Sequence, residues 1–188
     1  MAAWFASLSR STAVANREVT PERIDFDRFF QTHADAVYGY VLRMVGDPDR
    51  AADIAQDTFI KAHRQLATLT DPGAARTWLF RIASRTAIDE IRRRRWTHPF
   101  GAADLDRPDT SPGPEAVAMN RRLDDRLQRS LLRLKPAQRQ CLVLSDVEDM
   151  AAAEIASVMD MTPGAVRTLL CRARADMRRM LAEEGLTR

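Results

Sequence analysis

Arg92 to Arg95 form an unbroken run of arginines, and the stretch before it carries Arg76, Arg81 and Arg85 with only Asp89 and Glu90 in opposition. Trp78, Arg81, Arg85, Asp89 and Arg92 fall three and four positions apart, so on a helix they share one face with an aromatic at its end. Guanidinium groups neutralise phosphates and an indole ring offers stacking surface to an unpaired base, which suits single-stranded or partly opened nucleic acid. Pattern alone leaves a second reading open, in which Trp78 anchors a core and the arginines are a solvated helix end. A second basic set, Arg167, Thr168, Arg172 and Arg174, lies off the apolar stripe of a later segment. An arginine so placed can meet a guanine edge with two hydrogen bonds. A third set has the opposite sign: Asp49, Asp53 and Asp57 are spaced four apart, with Gln56 alongside. Like charges at that spacing cost a helix roughly 0.2–0.5 kcal/mol per pair, so a basic protein partner would compensate them and a phosphate backbone would be repelled. The plain alternative is a solvated acidic face.

Catalytic chemistry finds less support. His33, His63 and His98 show no metal-ligand spacing, and neither Cys141 nor Cys171 has a second thiol or a histidine near it in sequence. There is no nucleophile elbow and no glycine-rich phosphate loop. No metal, cofactor or disulfide is expected, and a reducing compartment fits the two cysteines.

The elements that must position these residues are helices. Hydrophobic residues make up 45% of the 188 and charged residues 29%, which is ordinary for a globular chain, while only 6% are aromatic and 7 residues are glycine. A net charge of +3 is too mild to argue for a polyanionic partner, so the distribution of charge carries that argument. The first residues include Trp4, Phe5 and Leu8 but no basic leader and no long apolar run, so neither a secretory signal nor a membrane span is expected. Residues 1–23 are expected to be an N-terminal extension with no assigned role. A helix is predicted from Ile24 to Val45 on the spacing of Phe26, Phe29, Phe30, Val37, Tyr40, Val41 and Met44, stopped by Gly46-Asp47-Pro48. A second is predicted from about Asp49 to Leu66, a turn around Asp71-Pro72-Gly73, and a third helix from Ala75 to Trp96. Together, residues 24–96 form the first expected domain.

Thr97 to Asn120 contains Pro99, Pro108, Pro112 and Pro114 with Gly101 and Gly113, and its charge is mostly acidic. Prolines at that density remove backbone donors, so a flexible, extended linker is expected over 97–120. Beyond it, residues 121–188 are expected to form the second domain. Leu123, Leu127, Leu131 and Leu134 mark one helix, and Pro136 opens another through Leu142, Val143 and Leu144. Ala151 to Met159 then reads as a short helix, Asp160-Met161-Thr162 as a tight connection, and Thr162-Pro163 as an N-cap and first helical position. Val166, Leu169, Leu170, Ala173, Met177 and Leu181 continue a helical period with basic residues outside it. Helix, short turn and basic second helix make a helix-turn-helix pattern. The expected fold is all-α, two small helical domains on a linker.

Several of these segments, in order, resemble one family. Asp49 to Ala62, DRAADIAQDTFIKA, is similar to the AEDLVQETFLKA segment of region 2 of bacterial RNA polymerase sigma factors; Arg76 to Ala83, RTWLFRIA, resembles TWLYRIA, and Ile88 to Arg95 resembles LDYLRRRR. Leu134 to Leu144 is similar to LPPRQREVLVL, Glu154-Ile155-Ala156 to EIA, and Pro163 to Arg174 to VGTVKSRLSRAR of region 4. The lack of a third structured domain points to the small extracytoplasmic-function subfamily. The resemblance implies a non-catalytic initiation subunit, cytoplasmic and not inserted in a membrane, whose partners are core RNA polymerase, promoter DNA and an anti-sigma factor. By the same resemblance, Asp53, Gln56, Asp57 and Phe59 would dock on the polymerase. Leu69, Trp78, Arg81, Arg85, Asp89 and Arg92 would hold the opened minus-ten element. Arg139, Arg167, Thr168, Arg172 and Arg174 would read the minus-thirty-five duplex. The acidic linker would thread toward the polymerase cleft.

This sequence departs from the family pattern at Ala165, Leu169 and Cys171, which bears on the minus-thirty-five preference. Asp149 and Ala151 stand where Gly-Leu-Ser usually introduces the first helix of the motif. Two rival readings remain on sequence alone: a helix-turn-helix regulator that grips duplex DNA without polymerase, and a helical protein-binding module whose arginines are dispensable.

Overall fold

The computed structural model describes residues 25–97 and 115–183, and among them every regular element is a helix. The expected extension over 1–23 lies outside these residues, as does most of the expected linker. The first half holds α1 (Phe26–Val45), α2 (Pro48–Gln65) and α3 (Ala75–Thr97), with short 3-10 turns at Leu66–Thr68 and Pro72–Ala74. The second half holds α4 (Glu115–Arg133), α5 (Pro136–Asp146), α6 (Ala152–Met159) and α7 (Pro163–Glu183).

Local chemistry sets the boundaries. The Asp25 carboxylate accepts the amides of Asp27 and Arg28 and opens α1. Gly46, at φ 77°, closes α1 with its amide on the Leu42 carbonyl, a left-handed C-cap that glycine adopts without penalty. A Cβ at Gly46 would stand 2.4 Å from Leu132 Cδ1 of α4, so the residue also lets the second half approach. Asp47 caps α2 by accepting the Arg50 amide, and Pro48 takes the first helical position. Asp71 accepts the Gly73 amide in the turn before α3. Helix α4 begins at Glu115, inside the stretch expected to remain extended to Asn120. The last proline is Pro114, and the EAVAMN that follows it places no restriction on a helix.

In the first half the apolar stripes of the helices meet as their periods require. Val37, Tyr40, Val41 and Met44 of α1 are fully buried with Leu79 and Phe80 of α3. The Tyr40 ring lies edge-on to Phe80 at 5.4 Å and its hydroxyl hydrogen-bonds the Ser84 hydroxyl at 2.8 Å, which satisfies the only polar atom of a buried ring. Burial carries the Tyr40 hydroxyl pKa far above its usual value, so it remains protonated. In the second half Cys141, Leu144, Ile155, Val166 and Ala173 are fully buried among α5, α6 and α7. Burial pushes the Cys141 thiol up to about 11, which keeps it an unreactive core group with Sγ 3.7 Å from the Val166 carbonyl.

The two halves are packed against each other, and their buried residues form one continuous cluster. Arg139 of α5, only 7% exposed, joins them. Its guanidinium donates to the Met44 carbonyl in the last turn of α1, to the Leu132 carbonyl at 2.8 Å and to the Leu134 carbonyl at 3.2 Å at the end of α4. Both helix C-termini present unpaired carbonyls and partial negative charge, so one cation caps two helices from opposite halves. Gln128 of α4 adds its amide to the Leu42 and Arg43 carbonyls at 3.2 and 3.3 Å. The expectation that Arg139 reads duplex DNA is therefore corrected: its donors are turned inward onto backbone carbonyls. Replacing Arg139 with alanine leaves those carbonyls buried without donors and is expected to cost about 3 kcal/mol. Thermal unfolding followed by circular dichroism should show a midpoint roughly 10 °C lower, with lysine recovering only part of the loss because a single ammonium cannot span both helix ends. An unchanged midpoint would sink the structural role.

Candidate nucleic-acid interface

The acidic set is displayed on α2. Asp53 and Asp57 are exposed one turn apart and Gln56 is partly exposed beside them, on the face opposite Ala51, Ile54, Ala55 and Ala62. Asp49 sits in the first turn, where a carboxylate favours the helix dipole. Phe59, expected among the docking residues, is 3% exposed and lies edge-on to Phe30 at 4.7 Å. It belongs to the core, because it follows Ala55 by four positions on the buried stripe.

The basic set is displayed on α3. Arg85, Asp89 and Arg92 are exposed along one face, and Arg81 is partly exposed on the same face. Trp78 is partly buried, 6.4 Å from the Phe29 ring, so one edge is anchored in the core and the rest is accessible. Leu69, partly buried in the turn before α3, packs against the core. Trp96, 82% exposed, continues the Arg85–Asp89–Arg92 face at the C-terminal end, and sequence reading missed it. Its position four residues after Arg92 was the available signal. Arg50 and Arg93 both bind Glu90, at 3.3 and 2.8 Å, which fixes the acidic residue that divides the run.

In the second half, α6 and α7 stand as the helix-turn-helix predicts. Thr162 Oγ1 accepts the Ala165 amide at 3.2 Å and Pro163 follows at the first helical position. Asp160 closes α6 in the left-handed conformation at φ 55°. Asp149 also has a positive φ, 51°, at the position where the family pattern places glycine, and aspartate is among the residues that tolerate it. Ala151 has no side-chain acceptor to cap α6; instead the Glu154 carboxylate accepts the Ala151 amide at 2.8 Å. Arg167, Thr168 and Arg172 are exposed on the outer side of α7. Arg174 is not grouped with them. It is turned onto the end of α5, with Nη2 2.5 Å from Asp146 Oδ1 and 3.1 Å from the Ser145 hydroxyl. Beside that pair, Leu127, Leu131, Leu142, Val143, Met177 and Leu181 line an apolar groove of about 490 Å³ between α4, α5 and α7.

The two faces meet where α3 lies against α6. Arg76 donates to the Glu148 carbonyl at 2.5 Å and to its carboxylate at 3.2 Å, with its guanidinium 5.2 Å from the centre of the Phe80 ring. Arg81 donates to the Ser157 carbonyl at 2.9 Å and to its hydroxyl at 2.6 Å. Among the described residues, no group of acidic, histidine or cysteine side chains could hold a metal ion, and no helix is long and apolar enough to cross a membrane.

Comparison with known proteins agrees with this layout. The family model described as Sigma-70 region 2 matches residues 29–97, and that described as Sigma-70, region 4 matches residues 124–177. The chain is 32% identical to the ECF RNA polymerase sigma factor SigE of Mycolicibacterium smegmatis over 187 residues, covering 97% of this chain and 72% of the relative. It is 30% identical to the ECF RNA polymerase sigma factor SigL of Mycobacterium tuberculosis over 184 residues, covering 96% of this chain and all of the relative. Its fold is similar to that of the sigma factor RpoE in complex with the anti-sigma factor NepR from Bartonella quintana, with a TM-score of 0.67 at 18% identity over 84% of this chain and 97% of that one. It is also similar to CnrH in complex with the cytosolic domain of CnrY, with a TM-score of 0.64 at 26% identity over 84% and 88% of the two chains.

Two neighbouring carboxylates give the packing opposite responses to pH. The hydrogen bond from Arg174 holds Asp146 below the usual carboxylate range, so its contribution is present near neutrality and lost as pH falls through that lowered value. Burial pushes Glu148 above its usual range despite Arg76, so its contribution is full in acid and lost as pH rises through the raised value. Thermal midpoints across pH should therefore show Asp146→Asn destabilising near neutrality and converging on wild type in acid. Glu148→Gln should match wild type in acid and equal or exceed it near neutrality. A Glu148→Gln variant that weakens with rising pH would contradict the assignment.

Proposed function

The chain belongs to the sigma-70 family, as an extracytoplasmic-function sigma factor that carries regions 2 and 4, and from that membership we propose a division of labour among its surfaces. As a sigma factor it binds core RNA polymerase and directs promoter recognition. Sigma factors are non-catalytic initiation subunits, and here the bond-forming chemistry belongs to the polymerase. The acidic face of α2, with Asp53, Gln56 and Asp57, docks on a basic surface of the polymerase. The α3 face, with Trp78, Arg81, Arg85, Asp89 and Arg92 and with Leu69 in the preceding turn, holds the opened non-template strand of the minus-ten element. Arg167, Thr168 and Arg172 on α7 read the minus-thirty-five duplex, the second helix of the motif entering the major groove.

The observation that carries this reading is the opposite charge of neighbouring exposed faces: carboxylates one turn apart on α2 and guanidinium groups on α3. A lone DNA-binding regulator has no use for the first, and a protein-binding module has none for the second. Residues 24–96 and 121–188 serve as the two working domains, and residues 97–120 connect them. The protein works in the cytoplasm, where its polymerase and promoters are. Two solved relatives are complexes, one of them with a protein named as an anti-sigma factor. An inhibitor of that kind is proposed for this chain, and the apolar groove between α4, α5 and α7 offers it a surface.

Reversing charge with Asp53→Lys and Asp57→Lys should leave the helical content and thermal midpoint unchanged, since both side chains are exposed. Affinity for core polymerase should fall on the order of tenfold or more, as for charged pairs at protein interfaces. Titration of labelled chain with purified core, alongside run-off transcription from a genomic library, checks both parts. Undiminished core affinity in the double variant would remove the docking assignment, and the absence of any start-site selection by wild type would remove the larger reading.

A further inference from the structure

Helix α3 carries an indole at each end of its basic face. Trp78 and Trp96 are eighteen residues apart in sequence, which is five full turns at 3.6 residues per turn. Both side chains therefore leave the same side of the helix, about 27 Å apart at 1.5 Å per residue. Arg85, Asp89 and Arg92 lie exposed between them, and Arg81 is partly exposed on the same side. The surroundings of the two rings differ. Trp78 is partly buried, 6.4 Å from the Phe29 ring, whereas Trp96 is 82% exposed. Among the described residues Ala87 is the last buried position of α3, so the final turns run past the core and hold the second ring in solvent. A single exposed aromatic is ordinary by itself, and it is the register with Trp78 across the arginines that singles this one out.

We infer that Trp96 is a second stacking station for the opened promoter strand: its indole takes the face of one unpaired base, while Arg85 and Arg92 neutralise the phosphates that lead to it from the Trp78 end. This rests on the assignment of the α3 face made above. The surroundings of the ring favour a nucleic acid over a protein occupant. Among the described residues the other exposed large apolar side chains are Leu127, Val147 and Met161, all in the second half, so Trp96 is not part of an apolar patch such as the core of a protein interface uses. It stands instead beside Arg92 and Arg93, with Arg93 bound to Glu90 at 2.8 Å. A lone ring flanked by cations matches a strand that alternates flat bases with phosphates. Every base offers a π face, so such a station adds affinity and fixes where the strand lies, and leaves the reading of sequence to other residues. At the 3.4 Å rise of stacked DNA, the distance between the rings corresponds to about eight nucleotides, which sets the length of strand that engages both.

The test uses the full chain assembled with core polymerase. The probe is a fluorescein-labelled single-stranded oligonucleotide from the non-template strand of a start site mapped by run-off transcription, long enough to span both rings, and binding is read by anisotropy. Trp96→Ala should bind this probe about tenfold more weakly than wild type, and Trp96→Phe within about threefold of it, because a phenyl ring still stacks. Core affinity and helical content should be those of wild type, since the side chain is exposed. Abasic sites introduced one at a time should reveal a position at which loss of the base weakens wild type but not Trp96→Ala, a coupling that marks ring against base. The salt dependence of affinity should be unchanged in Trp96→Ala and shallower in Arg92→Ala, because only the second loses a phosphate contact. Wild-type DNA affinity in Trp96→Ala, with binding weakened in Arg85→Ala and Arg92→Ala, would overturn the proposal and leave the α3 assignment standing. So would a loss coupled to no single base, or a loss of core affinity, which would make Trp96 a contact to the polymerase. Undiminished binding in all three variants would overturn the α3 assignment and the proposal with it.

Discussion

A buried guanidinium helps to join the two halves of this protein. Arg139 is buried, and its guanidinium donates to the carbonyls of Met44, Leu132 and Leu134 at the ends of two helices. A buried cation is costly unless its hydrogen bonds are satisfied, and helix C-termini are costly to bury unless their carbonyls are. Here the two terminal nitrogens of the guanidinium meet those carbonyls. The planar fork suits the task because its donors diverge and can serve separate chain segments, which a lysine ammonium on a flexible stem does poorly. Gly46 is the complementary constraint: it ends α1 at the Leu42 carbonyl and keeps the space that Leu132 fills. These two residues, with Gln128, Arg76 and Arg81, set how the halves meet over the shared apolar cluster.

The working surfaces depend on that placement in different ways. The acidic face of α2 is remote from the junction, with Asp53 and Asp57 exposed and the opposite side of the helix in the core. The basic face of α3 runs into the junction at its N-terminal end, where Arg76 and Arg81 are engaged, and emerges from it at Arg85, Asp89, Arg92 and Trp96. The outer side of α7 is open at Arg167, Thr168 and Arg172, while its inner flank is tied to α5 through Arg174 and Asp146. The acidic face is thus fully open to solvent, while the basic face is partly engaged within the chain.

Much of this architecture was legible in the sequence because its helix ends carry their own chemistry. Asp47-Pro48, Gly46, Asp71 and Thr162-Pro163 mark boundaries by capping and proline geometry, and the helices begin or end within a residue or two of them. The exposed charges of α2 and α3 were legible for the same reason, since periodicity separates the outer face from the core. Residues whose roles depend on a distant partner were not. Arg139 precedes Leu142 by three positions and Val143 by four, which puts it on the buried side of α5, yet nothing local names the carbonyls it meets. Arg174 likewise depends on Asp146 of another helix. Phe59, four positions after Ala55 and three before Ala62, lies on the buried stripe, so periodicity places it in the core where family position suggests a docking residue.

The junction also bears on why a chain of two small domains holds together at all. Each half alone has a modest core, and small domains bury too small a fraction of their surface to be comfortably stable. Docking one on the other extends a single buried cluster across both. Seventeen residues by sequence, 98–114, separate the last helical position of α3 from the first of α4. Tethering at that length makes association intramolecular, with effective concentrations of roughly millimolar order, so contacts too weak to join separate proteins suffice. The junction thus combines a continuous apolar cluster with hydrogen bonds from Arg139 and Gln128 to helix-end carbonyls, so its strength comes from both.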